Sequence, residues 1–208
     1  MFSVRKAAKE DLNSIVTVHH DAFKGFFLTK LGRPFLYTLY DAFMNDKCAL
    51  LLVVINKNEE IVGFLAGTYT PELFFYNLKR NKWFRLFINS IQGIIRHPYI
   101  VIRKLFFSIF YTGDKPEGIK DSALLSSIAV HPKYLKKSLG KLLICHFEKE
   151  VKSKSIENIY LTTDKLNNDA VLNFYSNLGY EVYNEFKQPD GRKMLCLIKN
   201  FNNKEDSL

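Results

Sequence analysis

Residues 124–178 alternate between two hydrophobic periods, and this constrains the fold more than any other feature of the chain. LLSSIAV (124–130) and ENIYLTT (157–163) carry the β-branched and apolar content of strands. KSLGKLLICHFEKEV (137–151) and NNDAVLNFYSNL (167–178) repeat their apolar residues at helical spacing instead, and Gly179 ends the second of these helices. A strand–helix–strand–helix run of this kind belongs to a sheet covered by helices.

The flanking segments extend that sheet. SVRKA near the start reads as a short strand, followed by a helix from about Lys9 to Phe23 with Leu12, Ile15, Val16 and His19 on one face and Asp11 at its positive end. Two helical stretches follow, broken at Gly32-Arg33-Pro34, the second burying Phe35, Leu36, Leu39, Tyr40 and Phe43. CALLLVVIN and EIVGFLAGTYT flank the turn Lys57–Glu60 as an antiparallel hairpin, and YEVYNEF and RKMLCLIKN close the chain around Gln188–Gly191. The expected architecture is α/β, a mixed sheet with helices on both faces. At 208 residues, with 47% hydrophobic and 25% charged, one globular domain spanning 1–208 is expected, with 201–208 a frayed tail.

Residues 72–120 are too long for a bare loop. Phe84, Phe87, Ile88, Ile91, Ile94 and Ile95 follow helical spacing, as do Ile102, Leu105, Phe106 and Ile109 after His97-Pro98, so two amphipathic helices inserted between the third and fourth strands are expected. This insertion carries Lys79, Arg80, Lys82, Arg85, Arg96, Arg103, Lys104, Lys115 and Lys120 against Glu72, Asp114 and Glu117, so most of the chain's net charge of +9 resides there. It suits an anionic partner, including weak contact with a membrane surface. Its arginines and lysines interrupt any apolar run long enough to cross a bilayer. The opening MFSVRKAAKED has no apolar stretch of a secretory leader, and Cys48, Cys145 and Cys196 lack paired spacing, so reduced thiols, no metal and a cytoplasmic location are expected.

The run Ile128-Ala129-Val130 ends a strand that feeds a turn into a helix N-terminus, where free N–H groups and the helix dipole stabilise a phosphate. Lys136, Lys137 and Lys141 add positive charge; an ordinary strand–loop–helix joint with solvated lysines would read the same. VHPKYLKKSLGKLL (130–143) resembles the acetyl-CoA-binding motif of the GNAT superfamily of N-acetyltransferases, Arg or Gln followed by x-x-Gly-x-Gly/Ala. NDAVLNFYSNLGY resembles that family's next motif, at Asn168, Tyr175, Gly179 and Tyr180. The order of elements matches the family's mostly antiparallel sheet over nearly the whole chain. Leu135 stands where the motif has Arg or Gln, and Ser138 replaces the first Gly. FFLTKLGRPFLYTLYDAF and the insertion are similar to bacterial members associated with surface-polysaccharide synthesis.

The resemblance implies an acetyl-CoA-dependent N-acetyltransferase that needs no metal. It places the cofactor against Ile128, Ala129, Val130, Lys136, Lys137, Ser138, Leu139, Gly140, Lys141, Asn168 and Tyr175. The Ile128 amide would face the acetyl carbonyl, Val130 would pair with the pantetheine arm, and Tyr175 would be the acid for the departing thiolate. Tyr175 also shares a helical face with Val171, Phe174 and Leu178, as a core tyrosine does, and Asn168 also suits a helix cap. Ser126 and Ser127 stand where many members carry a basic Glu, which leaves His19, His20, Asp164, Glu72 or a water relay to take the acceptor's proton. The expected partner is a small primary amine, anionic if it is a nucleotide-linked amino sugar, with no specific nucleic acid and with homodimerisation left open. The alternative is a fold member that binds CoA or an anionic surface without transfer.

Overall fold

The computed structural model describes residues 1–96, 98, 118, 121–188 and 191–202. In chain order the elements are β1 (Ser3–Lys6), α1 (Leu12–Ala22), α2 (Phe27–Leu31), α3 (Arg33–Asn45), β2 (Ala49–Ile55), β3 (Ile61–Thr68) and α4 (Pro71–Arg96). They continue as β4 (Ser122–Val130), α5 (Leu139–Lys152), β5 (Asn158–Asp164), α6 (Asp169–Ser176), β6 (Glu181–Lys187) and β7 (Lys193–Asn200). The seven strands form one sheet in the order β1-β2-β3-β4-β5-β7-β6. Every pairing is antiparallel except β4–β5. The mixed, mostly antiparallel sheet expected from the sequence is therefore present.

β2 and β3 are apolar almost without interruption because the sheet is covered on both faces. Successive residues of β2 alternate between the two cores. Leu50, Leu52 and Val54 join Leu143, Ile144, Phe147 and Val151 of α5, whereas Leu51 and Val53 join Leu12 and Ile15 of α1, Leu36, Tyr40 and Phe43 of α3, and Phe74 of α4. Fully burying one such side chain contributes about 1.5–3 kcal/mol, so these two layers fix which face each helix occupies.

Two local details differ from the sequence reading. α1 starts at Leu12 because Lys9–Asp11 forms a 3-10 turn, in which the Asp11 carboxylate accepts the Ala8 N–H at 2.7 Å and an Arg5 N–H at 2.9 Å. The Arg5 pairing holds Asp11 below the usual carboxylate range, so its charge serves that ion pair as well as the helix end. The inserted helix begins at Pro71, straight after β3, rather than near Phe84, since proline is favourable in a first turn. Its expected companion (Ile102, Leu105, Phe106, Ile109), the Pro189-Asp190 half of the last turn and the tail beyond Asn202 lie outside the described residues.

The break between α2 and α3 falls at Gly32, whose φ of +99° and ψ of 165° suit glycine alone. α4 then returns across this corner. A Cβ on Gly93 would lie 2.5 Å from the Lys30 carbonyl oxygen and 2.7 Å from the Leu31 Cα. Both obstacles are backbone, so neither can swing aside. Gly93→Ala is expected to lower stability by about 1–3 kcal/mol, read as a lower urea midpoint, whereas Gly25→Ala meets nothing within 4 Å and costs only its positive φ.

Candidate active site

The chemistry of the fold centres on one interruption of the sheet. β4 pairs with β5 only from Ser122↔Asn158 to Leu124↔Tyr160. Beyond that, β4 stays with β3 through Val130, and β5 stays with β7 through Asp164. The register of β3–β4 slips at Ala66/Gly67, where Ser126 is the extra residue of a bulge that bends β4. Two strands that leave each other this way open a V-shaped gap.

The direction of the β4 main chain in that gap follows from one hydrogen bond. His131 donates its N–H to the Val62 carbonyl at 2.8 Å. In an antiparallel ladder the bonded pairs alternate, so Ala129 and Ser127 turn their polar groups toward β3, and Val130 and Ile128 turn theirs into the gap. These are the two main-chain positions that the motif resemblance assigned to pantetheine and acetyl.

At the open end of the gap stands the N-terminus of α5. Its first bond runs from the Leu142 N–H to the Ser138 carbonyl at 3.0 Å, with no side-chain cap. The N–H groups of Leu139, Gly140 and Lys141 have no intrahelical partner there, which makes an anion site of them. Lys136 and Lys141 line the cavity, but Lys137 does not: its ammonium lies 5.2 Å from the Tyr134 ring centroid and 5.8 Å from that of Phe2. Its side chain thus packs beside the loop, away from the cavity lining. Lys136 and Ser138 both adopt left-handed backbone conformations, with φ of 60° and 55°. Gly140 allows the close approach of α6, since a Cβ there would come 3.1 Å from Phe174 Cζ.

The gap widens into a cavity of about 950 Å³. Leu125–Val130 form one wall, Leu161–Asp164 the other, and His19, Phe23, Phe26, Phe27 and Leu28 close one side. Tyr175 reaches the cavity from α6, and only burial acts on its hydroxyl, which it pushes well above the ordinary phenol value. The Asn168 amide donates both hydrogens, to Thr163 Oγ1 and the Asp164 carbonyl at 2.7 Å each, so it clamps α6 to the end of β5 and keeps only an acceptor atom for a ligand. Arg192 of the β6–β7 connection pairs with Asp164 at 3.3 Å.

A buried polar chain flanks the bulge. His19 Nδ1 lies 2.6 Å from the Tyr40 hydroxyl, which lies 3.4 Å from Ser127 Oγ. His19 Nε2 is buried with no partner among the described residues, and burial lowers the ring to about 4. Of the other candidate bases, His20 sits half-exposed beside Asp21, and Glu72 lines a separate depression with Lys47 and Lys154. His146 bonds the Leu142 carbonyl one turn back on its own helix. Among the described residues no three His, Cys, Asp or Glu side chains could hold a metal ion.

Residues 13–180 match the model of the acetyltransferase (GNAT) family. The chain belongs to the GNAT family. No curated protein matches the sequence. Solved structures similar to this GNAT chain include the ribosomal-protein-S18-alanine N-acetyltransferase of Escherichia coli (14% identity, 100% of this chain and 99% of that one, TM-score 0.60). The PaiA N-acetyltransferase of Thermoplasma acidophilum in complex with coenzyme A is 16% identical (96% and 99%, TM-score 0.58). YncA of Salmonella typhimurium, solved with acetyl-CoA, is 14% identical (98% and 96%, TM-score 0.61). At these identities the likeness shows a shared fold.

Within this GNAT fold, the structure gathers Ile128, Ala129, Val130, Lys136, Ser138, Leu139, Gly140, Lys141, Asn168 and Tyr175 around one cavity. Sequence reasoning missed Arg192, Met194 and the Phe23–Leu28 wall, which nothing in their local patterns marks, and took Tyr40 for core packing alone.

Two predictions follow from this geometry. A left-handed conformation costs a Cβ-bearing residue about 1–2 kcal/mol and glycine's unfolded-state freedom returns about 0.4–1 of it, so Ser138→Gly should raise the thermal midpoint slightly and tighten acetyl-CoA binding. His19, whose folded value lies below its unfolded value of 6.5, takes up its proton more readily when unfolded. Stability is therefore complete above pH 6.5 and declines as pH falls toward 4, by at most about 3 kcal/mol. Urea midpoints of His19→Gln measured from pH 7 to 4.5 should fall less steeply than those of the wild type; parallel curves would remove His19 as the cause.

Proposed function

We propose that this chain is an acetyl-CoA-dependent N-acetyltransferase that moves the acetyl group directly to a primary amine of a small acceptor. The observation that carries the reading is the β4–β5 gap, where the main chain of Ile128 and Val130 faces a cavity ending at the uncapped start of α5. The pyrophosphate fits the N–H groups of Leu139–Lys141, with Lys136 and Lys141 beside it. The thioester then lies beside Ile128, whose N–H stabilises the tetrahedral oxyanion, an effect worth roughly 10²–10³ in rate.

The acceptor nitrogen attacks the acetyl carbon, the C–S bond breaks, and the electron pair leaves on sulfur. Tyr175, which lines the cavity from α6, is the hydroxyl that the family resemblance assigns to that sulfur. Its raised phenol makes it a poorer acid than the thiol it would protonate, of pKa near ~8.5. It therefore serves by donating a hydrogen bond, and solvent completes the protonation. His19 is a poor base for the acceptor, because burial lowers its ring to about 4, far below an alkylammonium of pKa about 10.4. The proton leaves through water beside Ser126 and Ser127, and the acceptor reacts as the free amine.

The acceptor side of the cavity supports a ring-bearing amine. Phe23, Phe26, Phe27 and Leu28 offer apolar faces for a sugar or nucleobase, and Lys136 and Lys141 supply positive charge at the cavity beside the Arg192–Asp164 pair. A nucleotide-linked amino sugar, as in surface-polysaccharide synthesis of a bacterial cytoplasm, combines both features. A second reading, CoA binding without transfer, is favoured by Leu135 and Ser138 at the phosphate loop.

Acetyl-CoA should raise the melting temperature, and thiol release should appear with an amine panel led by nucleotide-linked amino sugars. Tyr175→Phe removes one hydrogen bond to the departing thiolate and should lower kcat by about 10–10²-fold, with the acetyl-CoA shift unchanged. A melting shift without thiol release from any amine selects the non-catalytic reading, and equal turnover of neutral amines removes the amino-sugar assignment.

A further inference from the structure

The helix α4 carries more apolar surface than a helix that only covers a core. Its inward side holds Phe74, Phe75, Leu86 and Ile94, and polar contacts tie the helix to α3 and its end: Asn77 donates to Asp46 at 3.1 Å, Lys82 to Asp41 at 3.0 Å and Asn89 to Thr38 at 2.8 Å, and Ser90 is fully buried. A second set of large apolar residues faces outward. Leu73, Tyr76, Trp83, Phe84, Phe87, Ile88, Ile91 and Ile95 are between 42% and 75% exposed.

These exposed residues are ordered across the helix surface. At 100° per residue, Leu73, Phe84, Phe87, Ile88, Ile91 and Ile95 fall on one stripe. Tyr76 and Trp83, one heptad apart, lie along one border, and Arg85 and Arg96 lie along the other, with Arg80 and Asn77 within the stripe. Aliphatic and phenyl groups in the centre, indole and phenol at the edge and arginines beside them is the arrangement that suits a helix lying in a lipid–water interface. The helix carries five basic residues (Lys79, Arg80, Lys82, Arg85, Arg96) against Glu72, so its charge is complementary to an anionic leaflet. No described helix is long and apolar enough to cross a membrane, which fits a helix that lies on one.

We propose that the outward face of α4 docks this protein on the surface of an anionic lipid bilayer. The inference goes beyond acetyl transfer and does not depend on it. It has a consequence for the site all the same. Leu86 and Ile94 of α4 pack in one cluster with Phe27 and Leu28 of α2, and those two residues also line the cavity. A docked α4 therefore holds the acceptor end of the cavity close to the bilayer.

Trp83 is the single tryptophan and lies on this face, so its emission reports docking directly. The full-length protein is mixed with phosphatidylcholine vesicles with and without phosphatidylglycerol, some carrying brominated acyl chains. Expected are co-sedimentation with the anionic vesicles, a blue shift of Trp83 and quenching by bromine, all weakened by salt. Phe87→Glu with Ile91→Glu, and separately Arg85→Glu with Arg96→Glu, should each weaken vesicle affinity at least about tenfold. The acetyl-CoA melting shift or, if that is absent, the far-UV spectrum confirms that both variants are folded. Unchanged emission and no co-sedimentation overturn the proposal. So does a lipid-free protein whose Trp83 is already shielded from acrylamide, either in a dimer seen by sedimentation equilibrium, where a second copy is the occupant, or in a monomer, where the chain covers its own face.

Discussion

Main-chain polar groups in a sheet must be paired, and the region around β4 is built on leaving some of them open. β4 keeps β3 as a neighbour from Leu124 through Val130 but loses β5 after Leu124. An unpaired buried amide or carbonyl costs about 1–3 kcal/mol, so a strand edge inside a sheet persists only if water or a ligand satisfies it. The bulge at Ser126 makes the bend, and Asn168, donating to both Thr163 and Asp164, holds the opposite strand end in place. The gap is thus a fixed feature of the backbone rather than a space between loops.

The surrounding helices supply what the open edge needs. α5 points uncapped N–H groups toward the gap, and Gly140 lets α6 come close enough for Tyr175 to reach it. On the other side, α1 and α3 place His19 and Tyr40 behind the bulge, in contact with each other and with Ser127. Their burial keeps both neutral over the working range of pH, so they shape the acceptor side by hydrogen bonding rather than by charge. The positive charge at the cavity is left to Lys136 and Lys141, since Arg192 is paired with Asp164.

The elements that could be read from the sequence are those set by local pattern. The two-residue and helical periods placed β2 through β7 and five of the helices within a few residues, because each buries one continuous stripe. The loop before α5 and Tyr175 stand out in the sequence through a motif, and the fold brings both to one cavity. What was not legible depends on tertiary contacts. Nothing near Tyr40 in sequence marks its reach to Ser127, 87 positions away, and nothing in α4 alone says that Asn89 faces α3 while Phe84 and Phe87 face outward. The direction of the Lys137 side chain likewise depends on Phe2 and Tyr134, which only the folded chain brings near.

The central claim is that the open edge of β4 is the acetyl-CoA site, and amide hydrogen exchange tests it residue by residue. In the free protein the amides of Ser127 and Ala129, paired to β3, should exchange slowly, and those of Ile128 and Val130 should exchange faster. Saturating acetyl-CoA should slow Ile128, Val130 and the amides of Leu139–Lys141 selectively. Exchange at these five positions that is indifferent to acetyl-CoA, or protection centred on another part of the fold, would contradict the account.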